Sequence, residues 1–147
     1  MPTCKDVMTR DPVSCQPGDS ITRVATLMKQ QDVGSVPVVE SQSSKQLVGI
    51  ITDRDVVVKV LAGNRSVDQA TVRDAMTASP VSCAETDDVD EALQQMKDRQ
   101  VRRMPIVDAN GRLTGIIAQA DVATRMRRDA ETGELVEAIS ESGTSRR

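Results

Sequence analysis

The sequence contains no histidine, tryptophan, tyrosine or phenylalanine. Without an imidazole it can run neither Ser-His-Asp nor Cys-His chemistry, because both need a base that titrates near neutral pH. A zinc site with histidine ligands is excluded on the same ground. No ring is available to stack a base or a sugar, so any core and any pocket wall must be built from Val, Ile, Leu, Met and Ala. No apolar run approaches the roughly 20 residues that span a bilayer. The start, Met1-Pro2-Thr3-Cys4-Lys5-Asp6, lacks the charged stretch and apolar run of a signal peptide. Cysteine is scarce and odd in number: Cys4, Cys15 and Cys83 have no close pair. That speaks against a secreted disulfide framework and for a reducing cytoplasm. With 19 Lys plus Arg against 22 Asp plus Glu, the net charge is −3, which offers no basic footprint for nucleic acid.

What the chain has is an internal repeat. Thr3, Asp6, Met8 and Thr9 recur as Thr71, Asp74, Met76 and Thr77, at an offset of 71 − 3 = 68. Pro12-Val13-Ser14-Cys15 recurs as Pro80-Val81-Ser82-Cys83, and Asp19, Met28, Lys29, Val33, Pro37 and Val39 as Asp87, Met96, Lys97, Val101, Pro105 and Val107. The offset then drops to 115 − 49 = 66: Leu47, Gly49, Ile50, Ile51, Asp55 and Val56 match Leu113, Gly115, Ile116, Ile117, Asp121 and Val122. The change falls between residues 41–46 and 109–112, polar turns where insertions are tolerated.

Both copies give the same element order. A short turn leads into the extended Pro-Val-Ser-Cys. Asp19-Ser20 and Asp87-Asp88 are N-cap candidates. A helix follows, with Ile21, Val24, Ala25 and Met28 on one face, matched by Val89, Ala92, Leu93 and Met96. Gly34 is expected to end the first of these helices. Val36-Pro37-Val38-Val39 and Met104-Pro105-Ile106-Val107 read as strands whose proline sits at an edge or a strand start. Residues 47–51 and 113–117 read as buried strands. The last helices are expected from Arg54 to Ala62, with Gly63 beyond, and from Ala120 to about Arg128. The fold class is therefore α/β, as two β-α-β-β-α repeats. A unit of about 55 residues is marginal alone, so the repeats are expected to pack as a pseudo-twofold pair. The expected boundaries are 3–63 for repeat 1, 64–70 for a linker and 71–128 for repeat 2. A C-terminal extension, 129–147, would hold a short helix around Leu135, Val136 and Ile139 and then a flexible tail.

These residues resemble the cystathionine β-synthase (CBS) domain, which normally occurs as a tandem pair called a Bateman module. The motifs are Met8-Thr9-x-x-Pro12-Val13, Gly34-x-Val36-Pro37-Val38-Val39 and Gly49-Ile50-Ile51-Thr52-Asp53-Arg54-Asp55. Their second-copy counterparts are Met76-Thr77-x-x-Pro80-Val81, Val101-Arg102-Arg103-Met104-Pro105-Ile106-Val107 and Gly115-Ile116-Ile117-Ala118-x-x-Asp121. The resemblance covers about residues 3–128 and implies a small stand-alone CBS-pair protein. The resemblance implies that it binds an adenine nucleotide or another adenosyl ligand (AMP, ADP, ATP or a relative), requires no cofactor, forms a homodimer and signals to a regulated partner protein or through self-association. Neither nucleic acid nor membrane is an expected partner. Carried over by position, Thr52 and Asp55 are the best ligand-binding pair of the first copy, with Val13 and Val36 as wall residues and Gly34 beside them. In the second copy Asp121 remains, but Ala118 replaces the threonine. Arg102, followed by Arg103, stands where some members place a phosphate-binding arginine, and the first copy has Gly34 there. Two unequal sites are expected. The chemistry fits: a carboxylate accepts hydrogen bonds from ribose hydroxyls, and a hydroxyl with helix-start amides suits a phosphate.

Each of these residues also has a plain structural reading. An acid in a first helical turn complements the macrodipole by about 0.3–1 kcal/mol. Thr52 reads equally as an N-cap and Arg102-Arg103 as a solvated edge. The cluster from Arg125 to Arg128 reads as a favourable helix C-terminus. Cys15 and Cys83 read as core thiols, with a redox switch or a metal pair as the other reading. Two functions stay open: a ligand-sensing regulatory module, and a ligand-free structural or interaction module of the stress-response type. Independent catalysis is not expected.

Overall fold

The computed structural model describes residues 2–132. The helix expected around Leu135, Val136 and Ile139 and the tail beyond it lie outside the described residues. The chain divides into two compact units. One, here the Cys4 unit, takes Met1–Asp11, Ser82–Val107 and the chain from Thr114. The other, the Cys15 unit, takes Pro12–Val81 and Asp108–Leu113. The copies have thus exchanged their opening turns.

In the Cys15 unit, α2 (Ile21–Gln31) starts at Ser20, whose side chain accepts the Arg23 N–H at 3.0 Å. The helix buries Ile21, Val24 and Met28. Ala25, expected on that face, is exposed; the buried stripe is narrow, and its flank is taken by the half-buried Leu27. The helix ends at Asp32, in the left-handed region with φ 56°, and not at Gly34. An aspartate tolerates that conformation because its short polar side chain can bond locally. Strands β2 (Ser35–Val39) and β3 (Leu47–Thr52) pair antiparallel, and β4 (Thr77–Ala78) flanks β3.

Beyond β3 the single α-helix expected over 54–62 does not form. A short α3 (Asp53–Asp55) passes into a π-helix (Val56–Leu61). Three consecutive β-branched residues, Val56, Val57 and Val58, crowd the preceding turn of an α-helix. The π-helix buries only Val60 and leaves Val57, Val58 and Leu61 exposed, at 53%, 46% and 55%. The opening turn of the second copy, α4 (Val72–Ala75), closes this unit; Thr71 and Asp74 form a capping box at its start. The core is aliphatic plus sulfur: Cys15, Ile21, Val24, Met28, Val36, Val38, Ile51, Val60 and Val72.

The Cys4 unit repeats the plan. Its sheet has the order β1 (Thr9–Arg10), β7 (Leu113–Ala118), β6 (Arg103–Val107), β5 (Cys83–Ala84). β5 runs parallel to β6 with Cys83 opposite Ile106, the counterpart of the Cys15–Val38 bridge in the other unit. The helices are α1 (Cys4–Val7), α5 (Val89–Arg99) and α6 (Gln119–Thr132). Asp88 is the N-cap of α5 without a side-chain bond; Asp87 instead accepts the Ala84 N–H, as Asp19 accepts that of Gln16. Left-handed positions recur in pairs: Asp11 with Ser79, Asp32 with Gln100, Lys45 with Gly111.

The two strand glycines mark where the exchanged segment passes. A Cβ on Gly115 would overlap the Met8 side chain and lie 3.0 Å from the Thr9 carbonyl oxygen. On Gly49 it would lie 2.9 Å from both the Met76 Sδ and the Thr77 carbonyl oxygen. Only glycine leaves room for that approach.

Candidate functional site

In the Cys15 unit, β3 delivers Thr52 to the turn that starts α3. Thr52 Oγ1 accepts the Asp55 N–H at 3.1 Å, and Asp55 Oδ2 accepts the Thr52 N–H at 2.9 Å. This is a capping box. The second carboxylate oxygen of Asp55, Oδ1, lies 3.4 Å from Lys59 Nζ, and the Asp55 side chain is 16% exposed. Lys59 also donates to the Ala75 carbonyl at 3.1 Å. Gly34 closes the turn from β2: its carbonyl accepts the Asp53 N–H at 2.9 Å. A Cβ on Gly34 would sit 3.1 Å from Asp53 Oδ2, so the Asp53 carboxylate fills the space beside the glycine. Thr52, Asp53, Asp55 and Gly34 therefore share one strand-to-helix junction. Val36 lies beside them in β2, paired with Ile51, and is fully buried in the core. Val13 is half-buried, two residues before Cys15.

The Cys4 unit rebuilds this junction with different side chains. The Gln119 N–H donates to the Arg102 carbonyl at 2.9 Å, the counterpart of the Asp53–Gly34 bond. Ala118 has no hydroxyl, so no capping box forms with Asp121. The Asp121 carboxylate is exposed and has no hydrogen-bond partner among the described residues. Arg102 is exposed and Arg103 is half-buried at the start of β6. One junction thus carries an aspartate braced by Thr52 and Lys59, and the other carries an exposed aspartate without that bracing.

Two residues of this region escaped the sequence reading. Asp53 fills the glycine space, and Lys59 braces Asp55. Asp53 was legible only as one of two acids at a helix start. Arg125, expected to complement a helix C-terminus, sits within α6 and instead donates to the carbonyls of Val7 and Met8, the latter at 2.9 Å. The signal that could have found both basic residues is their shared offset, 125 − 59 = 66.

The three cysteines are buried, free thiols. Burial pushes Cys4 up to about 12, helped by the charges of Cys83, Asp87 and Asp88. Burial likewise pushes Cys15 up to about 12, with Asp19 adding to it, and raises Cys83. Protonated, shielded thiols are poor nucleophiles. Among the described residues no three His, Cys, Asp or Glu gather in a way that could hold a metal ion, and no helix is long and apolar enough to cross a membrane.

The CBS domain model matches the chain twice, at residues 4–62 and 72–128. The chain belongs to the CBS domain family. It is 38% identical to the protein YlbB of Bacillus subtilis over 141 residues, 96% of this chain and 93% of the relative. Among solved structures it matches CBSX2, a protein of Arabidopsis thaliana, in complex with AMP, at 25% identity and TM-score 0.75, covering 88% of this chain and 98% of the other. It also matches the CBS domain pair of protein MJ0100 in complex with 5′-methylthioadenosine and S-adenosyl-L-methionine. That match has 26% identity and TM-score 0.73, covering 86% and 97% of the two chains. The neighbours are CBS-pair proteins and the fold is mixed α/β, as the repeat implied.

Proposed function

We propose that this chain is a regulatory module that binds an adenosyl ligand and passes the event to a partner protein or to a second copy of itself. The observation that carries the reading is the strand-to-helix junction built twice, with a 2.9 Å amide-to-carbonyl bond at Gly34 and again at Arg102. Each junction presents an aspartate in the first turn of a helix. In this reading Asp55 and Asp121 accept the ribose hydroxyls. Thr52 in one copy, and Arg102 with Arg103 in the other, meet the phosphate. Val13, Val36 and Gly34 form the wall beside the base. That CBSX2 binds AMP, and the MJ0100 pair 5′-methylthioadenosine and S-adenosyl-L-methionine, supports the ligand class. AMP, ADP and ATP are the first candidates.

The ligand acts by its differential affinity for two arrangements of the module. Catalysis has no part in this reading, since the sequence supplies no imidazole base. Three free thiols fit a cytoplasmic setting. The exposed Val57, Val58 and Leu61 offer an apolar patch for self-association as a homodimer.

A second reading has its own observation. The Thr52–Asp55 capping box and the Asp55–Lys59 pair account for these side chains with no ligand at all, as an interaction module would require. A thermal-shift panel of AMP, ADP, ATP, 5′-methylthioadenosine and S-adenosyl-L-methionine, followed by circular dichroism, separates the two. A ligand at 100 times its Kd adds about 2.7 kcal/mol of stability. A shift with any of them supports the sensor; a folded protein indifferent to all of them supports the interaction module.

A further inference from the structure

The Cys4 unit gathers sulfur where its sequence copy has hydrocarbon. Cys83 Sγ lies 3.2 Å from Met104 Sδ; Cys4 is anchored beside this strand by its backbone N–H, which donates to the Asp87 carbonyl at 2.8 Å, and the Cys4 and Cys83 thiols feel each other's charge or dipole. Gln95 Nε2 donates to Cys83 Sγ at 3.7 Å. The sulfurs come from three elements, α1, β5 and β6. Cys4 and Met104 are 0% exposed and Cys83 is 3% exposed.

The Cys15 unit is an internal control. At the positions equivalent to Cys4, Cys83, Met104 and Gln95 it has Val72, Cys15, Val36 and Leu27. Of those four only Cys15 carries sulfur, in a largely aliphatic core, and the Cys15 thiol merely points at the Pro37 carbonyl, 3.8 Å away. The same fold therefore packs without a thiol pair, a thioether or an amide at this place.

We propose that Cys4, Cys83 and Met104 form a site for a soft monovalent d10 cation, of which Cu(I) is the biological representative. Two cysteine sulfurs and a thioether select Cu(I) over harder ions. The set is not a zinc site, which is closed by four nitrogen, sulfur or carboxylate ligands. Asp87, Asp88 and Glu91 bring negative charge to the two thiols, a field that favours a bound cation. Copper keeps its oxidation state on binding, and any thiol that ligates as thiolate releases its proton to solvent. Filled, the site ties α1 to β5 and β6.

The test is an anaerobic titration of the reduced full chain with Cu(I) in the presence of the coloured competitor bicinchoninate. In a parallel titration without the competitor, the lack of aromatic residues leaves the near-ultraviolet clear for the sulfur-to-copper charge-transfer band. The expected result is one equivalent of copper withdrawn from the competitor. Cys4→Ala and Cys83→Ala should lose that equivalent, and Met104→Leu should weaken it. Cys15→Ala should keep it in full. Circular dichroism establishes that each variant is folded. If the two thiol variants of this unit unfold, the contrast between the volume-conserving Met104→Leu and Cys15→Ala carries the test alone. The proposal is overturned if the wild type withdraws no copper, if uptake survives in folded Cys83→Ala, or if Met104→Leu and Cys15→Ala behave alike.

Discussion

Lys59 and Arg125 do the same work in the two units. Lys59 Nζ donates to the Ala75 carbonyl at 3.1 Å, at the end of α4. Arg125 Nη1 donates to the Met8 carbonyl at 2.9 Å and to that of Val7, at the end of α1. Both cations satisfy carbonyls that a four-residue helix leaves open. Lys59 additionally braces Asp55, so in the Cys15 unit the exchanged turn and the candidate site share one side chain.

Removing either clasp should loosen its turn. Lys59→Met and Arg125→Met are each expected to cost about 1–3 kcal/mol, the range for leaving a buried acceptor unpaired. Hydrogen exchange locates the effect. The Met76 N–H, bonded to the Val72 carbonyl at 2.8 Å, should lose protection in Lys59→Met. The Met8 N–H, bonded to the Cys4 carbonyl at 2.9 Å, should lose it in Arg125→Met. Unchanged protection at both amides would deny the clasp.

The strand glycines give a second expectation. Ala at Gly115 or Gly49 would press on the backbone oxygen of Thr9 or Thr77, 3.0 and 2.9 Å from the new Cβ. Methionine side chains can move aside, but the carbonyls belong to the paired strands β1 and β4. Overpacking of this kind costs about 1–3 kcal/mol. Urea unfolding followed by circular dichroism should show both variants destabilised.

The capping asymmetry can be exchanged between the copies. Thr52→Ala should lose about 1 kcal/mol with its cap. Ala118→Thr should install a capping box with Asp121 and raise stability by a comparable amount. If Ala118→Thr changed nothing, the two junctions would not be equivalent in the way the 2.9 Å bonds at Gly34 and Arg102 indicate.

Stability should also depend on pH at both extremes. Backbone N–H groups of the opening turns hold Asp6 and Asp74 below the usual carboxylate value of 3.8, and the Arg112 and Asn110 amides do the same for Asp108. A carboxyl depressed in the fold contributes stability above its unfolded pKa, and that contribution is lost as pH falls through the folded value. Stability should therefore fall below about pH 4, and Asp→Asn at these three positions should flatten the fall. The thiols act in the opposite direction. Cys4 and Cys15 rise from 9.0 to about 12 in the fold, so their contribution is complete below pH 9 and is lost as pH rises towards 12. At neutral pH all three thiols should react with Ellman's reagent only after unfolding.

Much of the architecture was legible in the sequence because repetition is a strong signal. The offsets of 68 and 66 aligned Gly49 with Gly115 and Asp55 with Asp121, and hydrophobic spacing placed Ile21, Val24 and Met28 in the core. What was not legible depends on contacts distant along the chain. No local pattern reports that α1 packs with residues 82–107, or that Lys59 reaches Ala75. The end of α2 at Asp32 was masked by Gly34, a stronger C-cap residue on propensity alone. The π-helix follows from a run of valines that periodicity reads as part of an ordinary helix. At the candidate site, sequence found Thr52 and Asp55 as a pair but could not show that they bond to each other. It also marked the two junctions as unequal through Ala118, and at that junction the Asp121 carboxylate is exposed.

Calorimetric titration of AMP into the wild type, Asp55→Ala and Asp121→Ala tests the central claim most directly. The account predicts heat of binding in the wild type, with each variant losing the site that its aspartate serves and keeping the other. Binding that both folded variants retain in full, or no binding of AMP by a folded wild type, would contradict it.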